Sequence, residues 1–380
     1  MKRVLLVTLD FPPRLGGVAS YYSHIIAGLD PQQLFVLTDL HPRASDFDHT
    51  VSYRVFRRRF LTRLPLWPRW IFLAWYIFWL ARKFKIDVVL VGEVLPTGTV
   101  VLLLQRLLRL PFFLFTHGLD IRLPRLQPRK AGLARRIFSR SEKIVANSNY
   151  TAKALQEWGV APEKIVVMTP GVDTYKPNAD PGQIQRLQQN YQISGKRLIL
   201  SVGRLVQRKG FDQVIRCLPP LFTRFPNLIY CIVGDGPDLS RLKKIAAETL
   251  FTDRIFFLGA LSDQELTACY QLCELFVLTP RMLPDGDVEG FGIVYLEAAY
   301  AGKPVIAARS GGVPEAVADG VSGIIVDSEK DDQLQTAIQQ LLVDAKYART
   351  LGEAGRKRVL TSFNWQKRAE QLKLLLSETV

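Results

Sequence analysis

The sequence predicts an α/β protein made of two Rossmann-like domains of similar size, each a parallel sheet wrapped by helices. Two observations point to it. Short apolar runs alternate with helix-length amphipathic stretches along the whole chain, the pattern of strand–helix–strand crossovers. The alternation breaks once, at Thr169-Pro-Gly-Val-Asp173, and resumes after a polar stretch over 175–195 that reads as a linker with a short helix. A chain of 380 residues, 48% of them hydrophobic, is also too long for one ordinary core and has apolar material for two. The expected domains are 1–172 and 173–362.

In the first half the expected strands are 4–9, 35–38, 88–91, 112–116, 144–147 and 165–168. In the second they are 198–202, 228–233, 255–258, 275–278, 305–307 and 323–326. The final segment, 363–380, brings Trp365, Ala369, Leu372 and Leu376 to helical spacing and predicts a helix that packs back toward the first domain. The N-terminal apolar run ends at Asp10, too soon for an export signal, and reads as a buried first strand. Cys217, Cys231, Cys269 and Cys273 form no Cys-x-x-Cys pair and read as buried thiols, which suits a cytoplasmic protein.

Charge is distributed unevenly. Residues 1–172 hold 25 Lys and Arg against 11 Asp and Glu, whereas 173–380 hold 25 against 24. An excess of +14 on one half and +1 on the other predicts an anionic partner for the first half only. No nucleic-acid motif accompanies the basic residues, and the aromatics cluster instead of interleaving with the arginines, so a nucleic acid is not expected.

The chemistry concentrates in strand-end loops. Asp285-Gly-Asp-Val-Glu289-Gly290-Phe291-Gly292-Ile293-Val294-Tyr-Leu-Glu297 carries two glutamates eight residues apart. Its glycines permit close ligand approach, and a helix beginning near Ile293 offers amides to a phosphate. Glu289 stands where it could bond sugar hydroxyls, and Glu297 where it could grip a ribose diol. The same run also reads as a helix N-terminus with incidental acids. Gly203-Arg204-Leu-Val-Gln-Arg-Lys209-Gly210 follows an apolar run, and Arg204 and Lys209 could clamp a diphosphate through charge-assisted hydrogen bonds; the alternative is two solvated cations in a turn. Gly234-Asp-Gly236-Pro is a third strand-end loop. In the first half, Gly16-Gly17 opens a helix after strand one, and Thr116-His117-Gly118-Leu-Asp120 sets a histidine at a strand's carboxyl end. None of these loops is Gly-x-Gly-x-x-Gly, which disfavours a dinucleotide oxidoreductase.

Together with Ser310-Gly-Gly-Val-Pro-Glu315, these motifs resemble the retaining glycosyltransferases of family 4 along essentially the whole chain. The resemblance implies the GT-B architecture, in which two Rossmann-like domains face a central cleft, and transfer of a sugar from a nucleotide-diphosphate sugar with retained configuration. It implies that Arg204 and Lys209 bind the diphosphate, Glu297 the ribose, Glu289 the transferred sugar, amides of Phe291 to Val294 the phosphate and sugar, and that His117 touches the sugar near its reacting face. The loop from Asp10 and the run from Asp287 look most like bacterial GDP-mannose-dependent α-mannosyltransferases acting on phosphatidylinositol mannosides, with a UDP-sugar and a soluble acceptor as the alternative.

Asp285-Gly-Asp287 has the form of a metal-binding Asp-x-Asp, but Arg204 and Lys209 already supply the charge a metal would bring, so no required metal or cofactor is expected. The stretch from Arg54 to Lys85 holds nine basic residues and no acid around eleven apolar ones, Trp70 to Leu80. Eleven are too few to span a bilayer. The stretch reads either as a buried helix or as an interfacial segment with aromatics at headgroup level and Arg57, Arg58, Arg59 and Arg63 on anionic lipid. The expected location is the cytoplasmic face of a membrane, held peripherally.

Overall fold

The computed structural model describes residues 2–378 apart from 15, 61–68, 174–178 and 329. The chain forms two compact units: Met1–Pro170 together with Trp365–Val380, and Gly171–Asn364. The division falls two residues before the expected 172/173 boundary, and the terminal helix is part of the first unit.

The first unit is built on seven strands: β1 (Val4–Thr8), β2 (Leu34–Thr38), β3 (Arg54–Arg57), β4 (Val88–Val91), β5 (Phe112–Thr116), β6 (Lys143–Ala146) and β7 (Ile165–Val167). Their order is β3-β2-β1-β4-β5-β6-β7, with every pair parallel. The order reverses direction at β1, which makes the β1/β4 carboxyl end a switch point. Side-chain alternation explains why these runs are apolar throughout. Leu5, Val7, Phe35, Leu37, Val89 and Leu114 enter one core, and Val4, Leu6, Leu34, Val36, Leu90 and Phe115 enter the other.

The terminal helix, Trp365–Ser377, belongs to the second of these cores, with Trp365, Leu372, Leu375 and Leu376 beside Tyr21, Tyr22 and Phe113. Gly28 admits it, since a Cβ there would lie 2.7 Å from that of Ala369. Arg368 then ties the helix to Thr169 through that residue's carbonyl (3.2 Å) and hydroxyl (2.9 Å).

Sequence patterning did not reveal β3. Its Arg-Val-Phe-Arg run is an edge strand whose arginines suggest surface loop. Arg57, which the interfacial alternative sets on lipid, is instead 8% exposed and pairs with Asp48 at 2.7 Å, tying the edge strand to the chain before it. Arg63 lies outside the described residues. The aromatic segment forms helix Ile71–Lys83, and it is neither wholly buried nor wholly exposed: Leu73, Ile77, Leu80 and Ala81 are buried, while Ile71, Phe72, Trp75 and Trp79 are exposed.

The second unit repeats the plan with β8 (Arg197–Val202), β9 (Leu228–Val233), β10 (Ile255–Gly259), β11 (Leu275–Leu278), β12 (Val305–Ala308) and β13 (Ile324–Val326). All pairs are parallel, in the order β10-β9-β8-β11-β12-β13, with a switch point between β8 and β11. All four cysteines are buried here. Burial pushes the thiols of Cys269 and Cys273 up to about 12, so they stay protonated and pack as small apolar groups.

Candidate functional site

Within each unit, the residues singled out in the sequence gather at the carboxyl ends of adjacent strands. In the second unit the loops after β8 and β9 interlock through their backbones. Gly203 N–H donates to Val233 O (3.0 Å) and Leu205 N–H to Asp235 O (2.9 Å). Gly234, at φ +135°, is required for this, because a Cβ would overlap the Gly203 carbonyl. The Gly203-Arg204 and Gly234-Asp-Gly236 turns therefore form one surface. Arg204 is exposed on it.

Lys209 ends a single helical turn, Gln207–Lys209, and reaches the loop after β11. Its Nζ lies 2.6 Å from Glu289 Oε2, and Arg208 Nη1 lies 2.7 Å from the same oxygen. Arg208 Nε also pairs with Asp287 at 3.1 Å. Burial alone would raise the Glu289 carboxyl, but Lys209 and Arg208 outweigh it and hold its pKa down at about 2. Glu289 is thus ionised at any physiological pH. Its backbone is gripped too: Gly312 N–H donates to Glu289 O (3.0 Å), and Gly311, at φ +54°, lies so close that a Cβ would overlap that carbonyl. The Ser310-Gly-Gly motif is therefore the seat of Glu289.

Gly290, Phe291 and Gly292 are buried, Phe291 against Phe363 with ring centres 5.7 Å apart, so this stretch can offer backbone to a ligand but not the Phe291 side chain. Helix Ile293–Tyr300 starts immediately after. It has no acidic residue in its first turn, leaving its positive end uncompensated by its own sequence. Glu297, about one turn in, accepts a 2.8 Å hydrogen bond from Tyr270 OH, which fixes one carboxylate oxygen. Asp287, once a metal-ligand candidate, is occupied by Arg208, and Asp285 caps the Asp287 amide at 3.0 Å. Among the described residues no group of three His, Cys, Asp or Glu is placed to hold a metal ion.

The first unit's candidates are organised differently. Gly16 and Gly17 open helix Gly17–Ile25 after β1 and are exposed. His117 follows β5, and its Nε2 lies 2.8 Å from Tyr22 OH. That hydroxyl donates its only proton to Gly92 O, so it accepts from His117 Nε2–H. The imidazole is therefore held in the tautomer with a lone pair on Nδ1. Burial lowers the His117 pKa to about 4, and the ring is neutral at pH 7. Asp120 accepts from the His117 amide (2.9 Å), and burial raises its carboxyl to about 6. Glu93, after β4, accepts from Thr8 Oγ1 (2.6 Å), Leu9 N–H (2.8 Å) and Thr97 Oγ1 (3.0 Å). Burial raises it to about 7 despite those bonds. Glu93 thereby anchors the start of the loop that leads to Gly16-Gly17.

Sequence patterning had not marked Arg208, Tyr270, Tyr22 or Glu93. Arg208 adjoins a marked lysine; each of the other three has a partner remote in the sequence, Glu297 for Tyr270, His117 for Tyr22 and Thr8 for Glu93.

Comparison with known proteins places the chain in a family. Residues 15–176 match the model of Glycosyltransferase Family 4, and residues 183–358 that of Glycosyl transferases group 1. The chain is 34% identical over 379 residues to the GDP-mannose-dependent alpha-(1-6)-phosphatidylinositol monomannoside mannosyltransferase of Mycolicibacterium smegmatis, covering 98% of each. A monoacylated-acceptor enzyme of that kind from Corynebacterium glutamicum is 29% identical, over 99% of this chain and 98% of its own. The fold is similar to that of Anabaena HepE in complex with UDP-glucose, with a TM-score of 0.85, 21% identity and full coverage of both chains. Similarity of this depth along nearly the whole length makes the chain a member of glycosyltransferase family 4, a GT-B glycosyltransferase that uses a nucleotide sugar.

Proposed function

We propose that this glycosyltransferase moves mannose from GDP-mannose onto a phosphatidylinositol-based lipid acceptor with retention of configuration. Full-length similarity at 34% to an enzyme of that name is the observation that carries the reading. The charge pattern supports the acceptor class, since the +14 half is the one without the diphosphate clamp.

In this mechanism the donor diphosphate is held by Arg204 and Lys209, with the first-turn amides at Ile293 and Val294 on the phosphate. Lys209 already rests on Glu289 and has three donors, so it can serve the carboxylate and a phosphate together. Glu297, its carboxylate oriented by Tyr270, binds the ribose diol. Glu289, held ionised, accepts hydrogen bonds from the sugar's hydroxyls, and in the first unit neutral His117 keeps an acceptor lone pair on Nδ1 for a hydroxyl. As the anomeric carbon–phosphate oxygen bond breaks, the diphosphate gains charge that the two cations stabilise. The acceptor hydroxyl attacks from the same face, and its proton passes to the departing phosphate oxygen. No metal is required, because the fixed cations do its work.

The test is a donor panel with membrane lipid extract, read by mass. Transfer of one hexose from GDP-mannose supports the reading. Transfer from UDP-glucose but not GDP-mannose would replace it with the UDP-sugar alternative.

A further inference from the structure

We propose that the exposed aromatic face of helix Ile71–Lys83 docks onto an anionic lipid bilayer, entering it at headgroup depth. The inference deepens the lipid-acceptor reading and rests on it. The inner face of this helix is accounted for by the core; the outer face is not. Ile71, Phe72, Trp75 and Trp79 recur at helical spacing and form one outward stripe, with Trp75 57% and Trp79 36% exposed. The two indoles stack on one another, with planes 11° apart and centres 6.3 Å apart, so they form one continuous aromatic unit. Helix Thr97–Leu108 packs alongside and leaves Leu103 and Leu107 exposed as well. Single exposed apolar residues are ordinary, but a stripe of this size is not.

Cations ring the patch. Lys83 Nζ lies 4.5 Å over the Trp79 ring, the Arg82 guanidinium 5.4 Å over Phe78, and that of Arg58 5.4 Å over Tyr76. No acidic residue lies between Arg54 and Lys85 to oppose them. An anionic bilayer matches both features, because it offers negative charge at its surface and apolar depth just beneath, where indoles prefer to sit. No helix among the described residues is long and apolar enough to cross a membrane.

The experiment is vesicle flotation of the full chain with phosphatidylcholine alone and with added phosphatidylglycerol, across a salt series. Wild type, W75S/W79S, W75F/W79F, and a variant with Arg129, Lys130, Arg135 and Arg136 changed to Gln on helix Pro128–Arg140 are compared. Wild type should float with anionic vesicles, partly resisting salt. W75S/W79S should bind roughly tenfold more weakly and W75F/W79F nearly as well as wild type. Brominated acyl chains should quench wild-type tryptophan emission, and W75F/W79F should lose most of that quenching, a readout independent of any defect in the serine variant. Mannosyl transfer to detergent-dispersed acceptor should be unchanged in both Trp variants. The proposal is overturned if wild type ignores vesicles and this face is left for a protein partner, or if binding is lost only in the Gln variant. Retained transfer in detergent under either outcome would leave the enzyme's function standing while removing this surface from it.

Discussion

At the carboxyl ends of their sheets the two units use opposite electrostatics. In the second unit charge is paired: Glu289 sits between Lys209 and Arg208 and is held at about 2, and Asp212 is held below its ordinary value, against its own burial, by Arg281 and Arg241. In the first unit burial wins. Glu93 rises to about 7, Asp120 to about 6, and His117 falls to about 4. One end is an arrangement of fixed, paired ions; the other sets a neutral histidine among carboxyls whose ionisation burial opposes. The first unit's large positive charge is thus not carried by these strand-end residues.

The largest expected effect breaks the charged side. Lys209→Ala and Arg204→Ala each remove a charge-assisted bond to the diphosphate, about 1.5–3 kcal/mol, so kcat/KM for donor should fall roughly ten- to a hundredfold. Lys209→Ala should show the larger loss, because it also strips one partner from buried Glu289. Initial rates at sub-saturating donor check this.

Next is the neutral side. Tyr22→Phe leaves His117 Nε2–H without its acceptor and Gly92 O without its donor. Transfer should slow by about tenfold in kcat with little change in donor KM, as a loosened hydrogen-bonding group predicts. An unchanged kcat would remove the tautomer argument.

A smaller effect lies in stability against pH. Glu93 has a folded pKa raised from 4.5 to about 7, so its contribution is fully present below pH 4.5 and is lost as pH rises through 7. Glu93→Gln should flatten the melting temperature between pH 5 and 8, where wild type loses on the order of 1–3 kcal/mol from this group. The Glu289 contribution has the opposite sign: it is present above pH 4.5 and lost only as pH falls toward 2. The smallest expected effect is that of EDTA, which should leave activity unchanged. Loss restored by magnesium or manganese would move Asp285 and Asp287 into the role of ligands.

The contrast also explains what was legible in the sequence. The diphosphate side is written in short local motifs, because Gly203-Arg204, Lys209-Gly210 and Glu289 to Glu297 each place a charge beside the glycine that lets a ligand approach. Both sheets were legible from their apolar runs, since parallel strands are buried on both faces. The arginine-rich edge strand Arg54–Arg57 was not, because an edge strand half in solvent carries no such run. Nor was the network of Tyr22, Gly92 and His117, which joins residues up to 95 positions apart through pairing of β1, β4 and β5. The aromatic helix was ambiguous for a definite reason: with apolar residues on every face, the sequence does not say which face the core takes.

The measurement that tests the division of labour most directly is calorimetric binding of GDP and GDP-mannose to wild type, Arg204→Ala, Lys209→Ala and His117→Ala. If the charged end holds the diphosphate and the neutral end only the sugar and acceptor, GDP affinity falls about tenfold or more in both cation variants. It should be unchanged in His117→Ala, which nonetheless loses transfer. Wild-type GDP affinity in both cation variants, or its loss in His117→Ala, would contradict the account.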